Sequence, residues 1–246
     1  MGRLTETVKH LIILNALFFA ASSLLGLDLN NFLALYFPEN ENFGIWQFVT
    51  HMFMHGGFMH ILFNMYALWA FGSPLEQLWG RNKFIFFYFS AGLGAGLIYT
   101  AVNYFQFNSI HNDLINIGLR TSDIQGLLTS GKYNSDILSQ IPEQKLMEIY
   151  QIYNTPAVGA SGAIYGVLVA FGMTFPNAKL ALIFLPVPIS AKYFIPVLIA
   201  LDLFSGVTGF SIFGGGIAHF AHVGGAIIGF IIMWYWKTNQ FKRWDK

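Results

Sequence analysis

Residues 157–175 read AVGASGAIYGVLVAFGMTF. The stretch carries no charged residue and approaches the ~20 apolar residues that cross a bilayer as a helix. Its opening differs from the rest. Gly159-Ala160-Ser161-Gly162 sets one hydroxyl among small residues at the mouth of the helix. Reading the stretch as a membrane span decides the fold class, and the serine poses the question of function.

The remainder of the chain suits the same solvent. It is 55% hydrophobic and only 10% charged, whereas soluble domains are about 25% charged. Candidate spans are Leu11–Leu27, Met54–Phe71, Phe84–Phe105, Ala157–Phe175, Tyr193–Phe213 and Ile217–Trp236. We therefore expect an all-α membrane protein of six transmembrane helices, a single membrane domain over residues 1–246. The first apolar run lacks a small-x-small cleavage signature and reads as a retained span. No two-halves repeat of the transporter kind is visible. A net charge of +1 gives no reason to expect nucleic acid. The absence of cysteine excludes disulfides, thiolate catalysis and Cys-ligated metals.

Orientation follows from Lys and Arg in the loops. Arg3, Lys9, Arg81, Lys83, Lys179, Lys192, Lys237, Lys242, Arg243 and Lys246 all fall on one side of such a bundle. The other side has Arg120, Lys132 and Lys145, in a segment that also carries acids. The expectation is a multi-pass protein of the cell membrane with both termini cytoplasmic and loops 28–53, 106–156 and 207–216 facing outward. The long first outer loop holds Phe32, Tyr36, Trp46 and other aromatics, which suits partial burial at the interface. The segment 106–156 is too long for a plain connection. Leu146, Ile149, Tyr150 and Tyr153 have helical spacing after Pro142, which predicts one or two short amphipathic helices on the bundle or lipid surface. Leu185-Pro186-Val187-Pro188 should be extended.

Polar residues inside spans are costly and mark functional candidates. The second span opens HMFMHGGFMHILFNM, with His60 and Asn64 four apart on one helix face. Ser161 opens the fourth span, Tyr165 lies one turn deeper, and His222 falls early in the sixth. Span directions and helical rise put all of them at a similar depth near the outer surface. A serine hydroxyl becomes nucleophilic when a base takes its proton, and His222 can be that base for Ser161. Asn64, His60 and the Ser161 backbone N–H can supply oxyanion donors. Asp202 is expected mid-to-late in the fifth span, away from the histidine, which favours a Ser–His dyad over a triad. Gly162-x-x-x-Gly166 and Gly225-x-x-x-Gly229 would let the two helices approach closely.

These residues resemble the rhomboid family of intramembrane serine proteases. His60-Ile61-Leu62-Phe63-Asn64 matches the second-span His-x-x-x-Asn, with His51 and His55 as upstream histidines. Gly159-Ala160-Ser161-Gly162 with Tyr165 matches Gly-x-Ser-Gly and its following tyrosine. Ala221-His222-Val223-Gly224-Gly225 matches the sixth-span Ala-His-x-x-Gly, and Glu76 and Gly80 match an acid and a glycine beyond the second span. The resemblance covers the six-span core. It implies Ser161 as nucleophile, His222 as general base, and oxyanion contacts from His60, Asn64 and the Ser161 N–H. It also implies Tyr165 packed on the His222 ring, with Gly159, Gly162 and Gly225 supporting the arrangement. The implied substrate is a transmembrane segment of another membrane protein, unwound and cut near its outer end beside a small residue. The fifth span and the following loop would gate access. No cofactor is implied. The chain departs from the pattern in two places: Trp46-Gln47 stands where many members have Trp-Arg, and segment 106–156 is long.

Other classes stay open beside this one. His51 and His55 would be four apart on a helix and could hold a metal, although the Glu of His-Glu-x-x-His is missing. The lone acid Asp202 could mark a proton path in a transporter, or pair with a hydroxyl or backbone group. A third alternative is an inactive relative that only binds transmembrane clients. His219 reads as an ordinary interfacial residue. The oligomeric state is not given by the sequence.

Overall fold

The computed structural model describes residues 3–23, 25–182, 185–210 and 218–241. The chain runs α1 (Glu6–Ser23), α2 (Asn30–Leu33), α3 (Gln47–Thr50), α4 (Phe58–Ala67), α5 (Ser73–Trp79), α6 (Arg81–Asn116), α7 (Thr121–Ser130) and α8 (Glu143–Asn154). It continues with α9 (Ser161–Thr174), a hairpin of β1 (Lys179–Leu182) and β2 (Leu185–Ser190), α10 (Ala191–Thr208) and α11 (His219–Phe241). Among the described residues, three helices are long and apolar enough to cross a membrane: Arg81–Asn116, Ala191–Thr208 and His219–Asn239. The apolar helix Ser161–Thr174 is shorter.

At the centre, α11 packs against α9 and α6, and α6 also packs against α9. Small residues make this possible. A Cβ on Gly225 would collide with the carbonyl oxygen of Gly162, and one on Gly229 would lie 2.6 Å from Gly166 Cα. Backbone thus lies on backbone across α9 and α11, as the Gly-x-x-x-Gly pairs predict. Larger side chains, among them Phe84, Phe87, Tyr88, Leu68 and Val167, close the core around this contact and are fully buried.

The second expected span differs from an uninterrupted helix at 54–71. His51–Phe53 forms a 3-10 turn, and Met54 is extended at φ −90°, ψ 145°. Helix starts only at Phe58, after Gly56-Gly57, and passes through a π-turn at Leu68–Gly72 into α5. The i, i+4 relation assumed for His51 and His55 therefore does not exist, whereas His60 and Asn64 do share α4. Beyond the expected end of that span, Glu76 on α5 accepts hydrogen bonds from the Thr7 and Val8 amides at 2.9 and 3.0 Å and from the Thr5 hydroxyl. Burial alone would push the Glu76 carboxyl up, but these hydrogen bonds outweigh it and hold it below the usual carboxylate range. The same side of the protein carries Trp79 and Trp236, with Lys83 Nζ 4.1 Å from the Trp236 ring.

The third span was expected to end at Phe105. Instead α6 runs 36 residues, about 54 Å at 1.5 Å per residue, against ~30 Å of hydrocarbon. Phe107, Ile110 and Leu114 pack with Ile124, Leu127 and Leu128 of α7, Leu146 and Ile149 of α8, and Phe37 of the first loop. The expected amphipathic helices exist, but they build their own apolar cluster on this helical extension. Pro142 is the N-cap residue of α8 rather than part of its first turn. Lys145 Nζ reaches Asp113 Oδ2 at 2.5 Å, pinning α8 to α6.

The first loop is tied down from within. Gln47 is wholly buried; it accepts the Tyr36 N–H at 3.1 Å and donates to Asn42 O at 2.7 Å and Phe32 O at 3.3 Å. Trp46 Nε1 donates to Phe32 O at 2.7 Å. A neutral amide thus gathers this loop where an arginine was the expected residue. Leu35 pairs with Ala157 in an isolated antiparallel bridge, joining the loop to the approach to α9. The segment expected to be extended, 185–188, lies in β2, paired antiparallel with β1. The expectations for the loop 207–216 and for the start of the sixth span at Ile217 lie mostly outside the described residues.

Candidate active site

Ser161 is the first residue of α9. The chain reaches it through Gly159, whose φ of +124° is a backbone conformation that side-chain-bearing residues rarely adopt. The Gly159 N–H donates to His51 O at 2.9 Å, which fixes the turn from the side of the first loop. His51 is held in turn, its Nδ1 2.7 Å from Gln47 O. At a helix start the backbone N–H groups lack intrahelical acceptors, so the Ser161 turn offers free donors.

His222 lies in the first turn of α11, and its Nε2 is 2.8 Å from Ser161 Oγ. The two residues are 61 apart in sequence and meet because α9 and α11 approach at glycine. Tyr165 stacks on the imidazole, centroids 4.3 Å apart and planes at 11°. His60 approaches from α4: a Cβ on Gly159 would lie 2.8 Å from His60 Nε2 and 3.5 Å from Ser161 Oγ. Any side chain at position 159 would fill the space between the hydroxyl and His60. Asn64, one turn further along α4, is buried, and its Nδ2 has no hydrogen-bond partner. Of the residues expected at the site, Ser161, His222, Tyr165, Gly159 and His60 converge directly. Asn64 is placed as an unused donor, while Gly162 and Gly225 form the helix contact.

The surprise is Asp202. Its Oδ1 is 3.1 Å from His222 Nδ1 and 2.6 Å from His219 Nδ1, and its Oδ2 accepts the Tyr165 hydroxyl. An acid does therefore stand behind the histidine, contrary to the expectation of a Ser–His pair with none. His219 is not an ordinary interfacial residue either; it is buried against that carboxylate. The miss came from a helix boundary. With the fifth span ending at Phe213, Asp202 would lie ~16 Å along the axis from that end; α10 ends at Thr208, leaving ~9 Å. A lone acid in an apolar helix, with a second histidine one turn before His222, was the available signal.

Asp202, His219 and His222 each offer one ligand atom within 4.8 Å of the others, so a divalent cation could be held there. The metal alternative considered for His51 and His55 loses its geometric basis, since the two do not share a helix face and His51 Nδ1 already faces a carbonyl. His55 is buried with both ring nitrogens unpartnered, its ring 5.0 Å from that of His60.

Comparison with known proteins bears on the whole arrangement. The rhomboid domain family model matches residues 42–111 and 127–238, well over half of the chain. The chain belongs to the rhomboid family. Relatives include presenilin-associated rhomboid-like protein A, mitochondrial, of Danio rerio, 29% identical over 89% of this chain and 44% of its own length. Rhomboid protein 1, mitochondrial, of Saccharomyces cerevisiae is 28% identical over 74% of this chain and 39% of its own. Rhomboid protease AarA of Providencia stuartii is 26% identical over 76% and 54%. This rhomboid chain thus spans about half the length, or less, of the curated relatives it matches. The expected location in the cell membrane is corrected by these names, since several of the relatives are named as mitochondrial proteins. Loop charge orders the two sides of a bundle relative to each other; it does not say which membrane the bundle occupies.

Proposed function

We propose that this rhomboid is an intramembrane serine endopeptidase, a single membrane domain of six spans that cuts transmembrane segments of other membrane proteins. Among the described residues, three helices meet the length and hydropathy needed to cross; the proposal adds α1, the stretch from α4 through the π-turn ending at Gly72, and α9 as the other crossings. The observation that carries the reading is the 2.8 Å contact between Ser161 Oγ and His222 Nε2. The chain's similarity to the P. stuartii relative, which is named a rhomboid protease, supports it.

In this reading Ser161 Oγ attacks the scissile carbonyl as its proton passes to His222 Nε2. The resulting oxyanion takes hydrogen bonds from the Asn64 amide, a His60 N–H and the Ser161 backbone N–H. His222 then gives the proton to the leaving amine, and an ester remains on Ser161. Water, deprotonated by His222, hydrolyses that ester and restores the serine. Ser161 and His222 are part-exposed, which suits access of water. A substrate helix shields its peptide bonds by hydrogen bonding, so helix-breaking residues favour cleavage. The cut lies on the side of the membrane where Ser161 and His222 sit. The substrate and the lipid bilayer are the partners, and no cofactor enters the steps.

The test is cleavage of a transmembrane reporter by purified protein in liposomes. Ser161→Ala and His222→Ala should each lose at least about 10⁴-fold in kcat with folding retained. A Ser161→Ala protein that cleaves normally ends the serine mechanism. A wild type that binds the reporter without cutting it supports the inactive client-binding reading. Loss of activity on chelation, restored by zinc, supports a metal-dependent hydrolase. Proton-linked solute flux that depends on Asp202 supports a transporter.

A further inference from the structure

We propose that Asp202 is a positioning residue of the catalytic machinery, making the site a Ser161–His222–Asp202 triad braced by His219 and Tyr165. The proposal rests on the serine-protease reading above and adds the part that reading lacks. A histidine can accept the serine proton only if its other ring nitrogen carries a hydrogen. Asp202 Oδ1, 3.1 Å from His222 Nδ1, is the acceptor for that hydrogen. With Nδ1–H so held, the Nε2 lone pair faces Ser161 Oγ at 2.8 Å.

A buried carboxylate in an apolar helix is costly unless it is hydrogen-bonded. Asp202 is 3% exposed and receives hydrogen bonds on both oxygens. His219 Nδ1 meets Oδ1 at 2.6 Å, and the Tyr165 hydroxyl donates to Oδ2. The braces come from α9 and α11, the two helices that also carry Ser161 and His222. Tyr165 has two attachments with separate functions. Its ring stacks on the imidazole, while its hydroxyl turns the carboxylate so that Oδ1 faces His222. As His222 becomes the imidazolium during attack, Asp202 stabilises the positive charge without itself taking the proton.

Asp202 makes a prediction separable from general support of the fold. Asn in its place keeps the shape but can donate to Nδ1, which drives the imidazole proton to Nε2 and disarms it as a base. Asp202→Asn should lower kcat on the transmembrane reporter about 10³–10⁴-fold and leave KM within about twofold. Tyr165→Phe keeps the stacking and removes the hydroxyl, and should lower kcat about tenfold. Nitrogen-15 NMR of labelled wild type in detergent should show His222 protonated at Nδ1, a signal lost in Asp202→Asn. Wild-type kcat for Asp202→Asn overturns the proposal, as does a wild-type His222 protonated at Nε2. The NMR measurement decides the matter if the Asn variant fails to fold. Ser161→Ala is run in parallel: its inactivity beside a fully active Asp202→Asn sinks this proposal alone, whereas its activity sinks the serine reading beneath it.

Discussion

The helix contact that holds the site and the insert on the far end of α6 are both apolar clusters, yet they are built oppositely. Between α9 and α11 the contact is glycine on glycine, and the side chains it frees space for are Ser161, His222 and Tyr165. In the insert, Leu114, Leu127, Leu146 and Ile149 fill the interior with aliphatic side chains. The first arrangement gains proximity, which sets Ser161 Oγ and His222 Nε2 at hydrogen-bonding distance. The second gains buried area, which stabilises without specifying chemistry. One region is intolerant of added volume and the other of lost volume.

That contrast yields predictions of graded size. Gly225→Leu should have the largest effect: the added side chain pushes α11 off α9 and parts Ser161 from His222. Cleavage should fall at least about 10²-fold, while circular dichroism still reports a helical protein. Retained activity would mean that the helix contact does not set the site. Leu146→Ala should act the other way round. It should cost about 2–5 kcal/mol of local stability, read as faster amide exchange in α7 and α8, with serine-probe labelling of Ser161 unchanged within about threefold. A fall in labelling as large as that in Gly225→Leu would merge the two regions into one cooperative unit. The smallest effect is expected at Glu76, remote from both. Its carboxyl is held below the usual range in the fold, so the stability it contributes is fully present above about pH 4.3. That contribution is lost as pH falls through its own lower value. Glu76→Gln should cost about 1–2 kcal/mol at neutral pH, measured by thermal unfolding in detergent, and the difference from wild type should shrink on acidification.

The same contrast explains what could be read from the sequence. Gly162, Gly166, Gly225 and Gly229 announce a close helix contact because glycine at that spacing has few other uses in an apolar helix. Ser161 and His222 then follow from being polar at matching depth. Leu146 and Ile149 gave away α8 by their spacing, but not what they pack on, because α6 continues past Phe105 with no breaker residue to end it or mark the extension. The turn at His51–Phe53 was hidden by its apolar neighbours Met52, Phe53 and Met54, which read as helix. Asp202 was assigned to the right helix and the wrong depth. Depth depends on helix ends, and Gly209, with φ +71°, stops α10 before the apolar run itself stops.

The length of α6 has a practical consequence for anyone who wishes to shorten this chain. Residues 117–156 resemble a removable appendage when drawn as a loop. In the structure they are the cover over Phe107, Ile110 and Leu114, on a helix whose backbone ladder continues unbroken from the bundle. Cutting out α7 and α8 would leave a bare apolar stripe standing in water, so the minimal chain would trade a missing segment for a new adhesive surface.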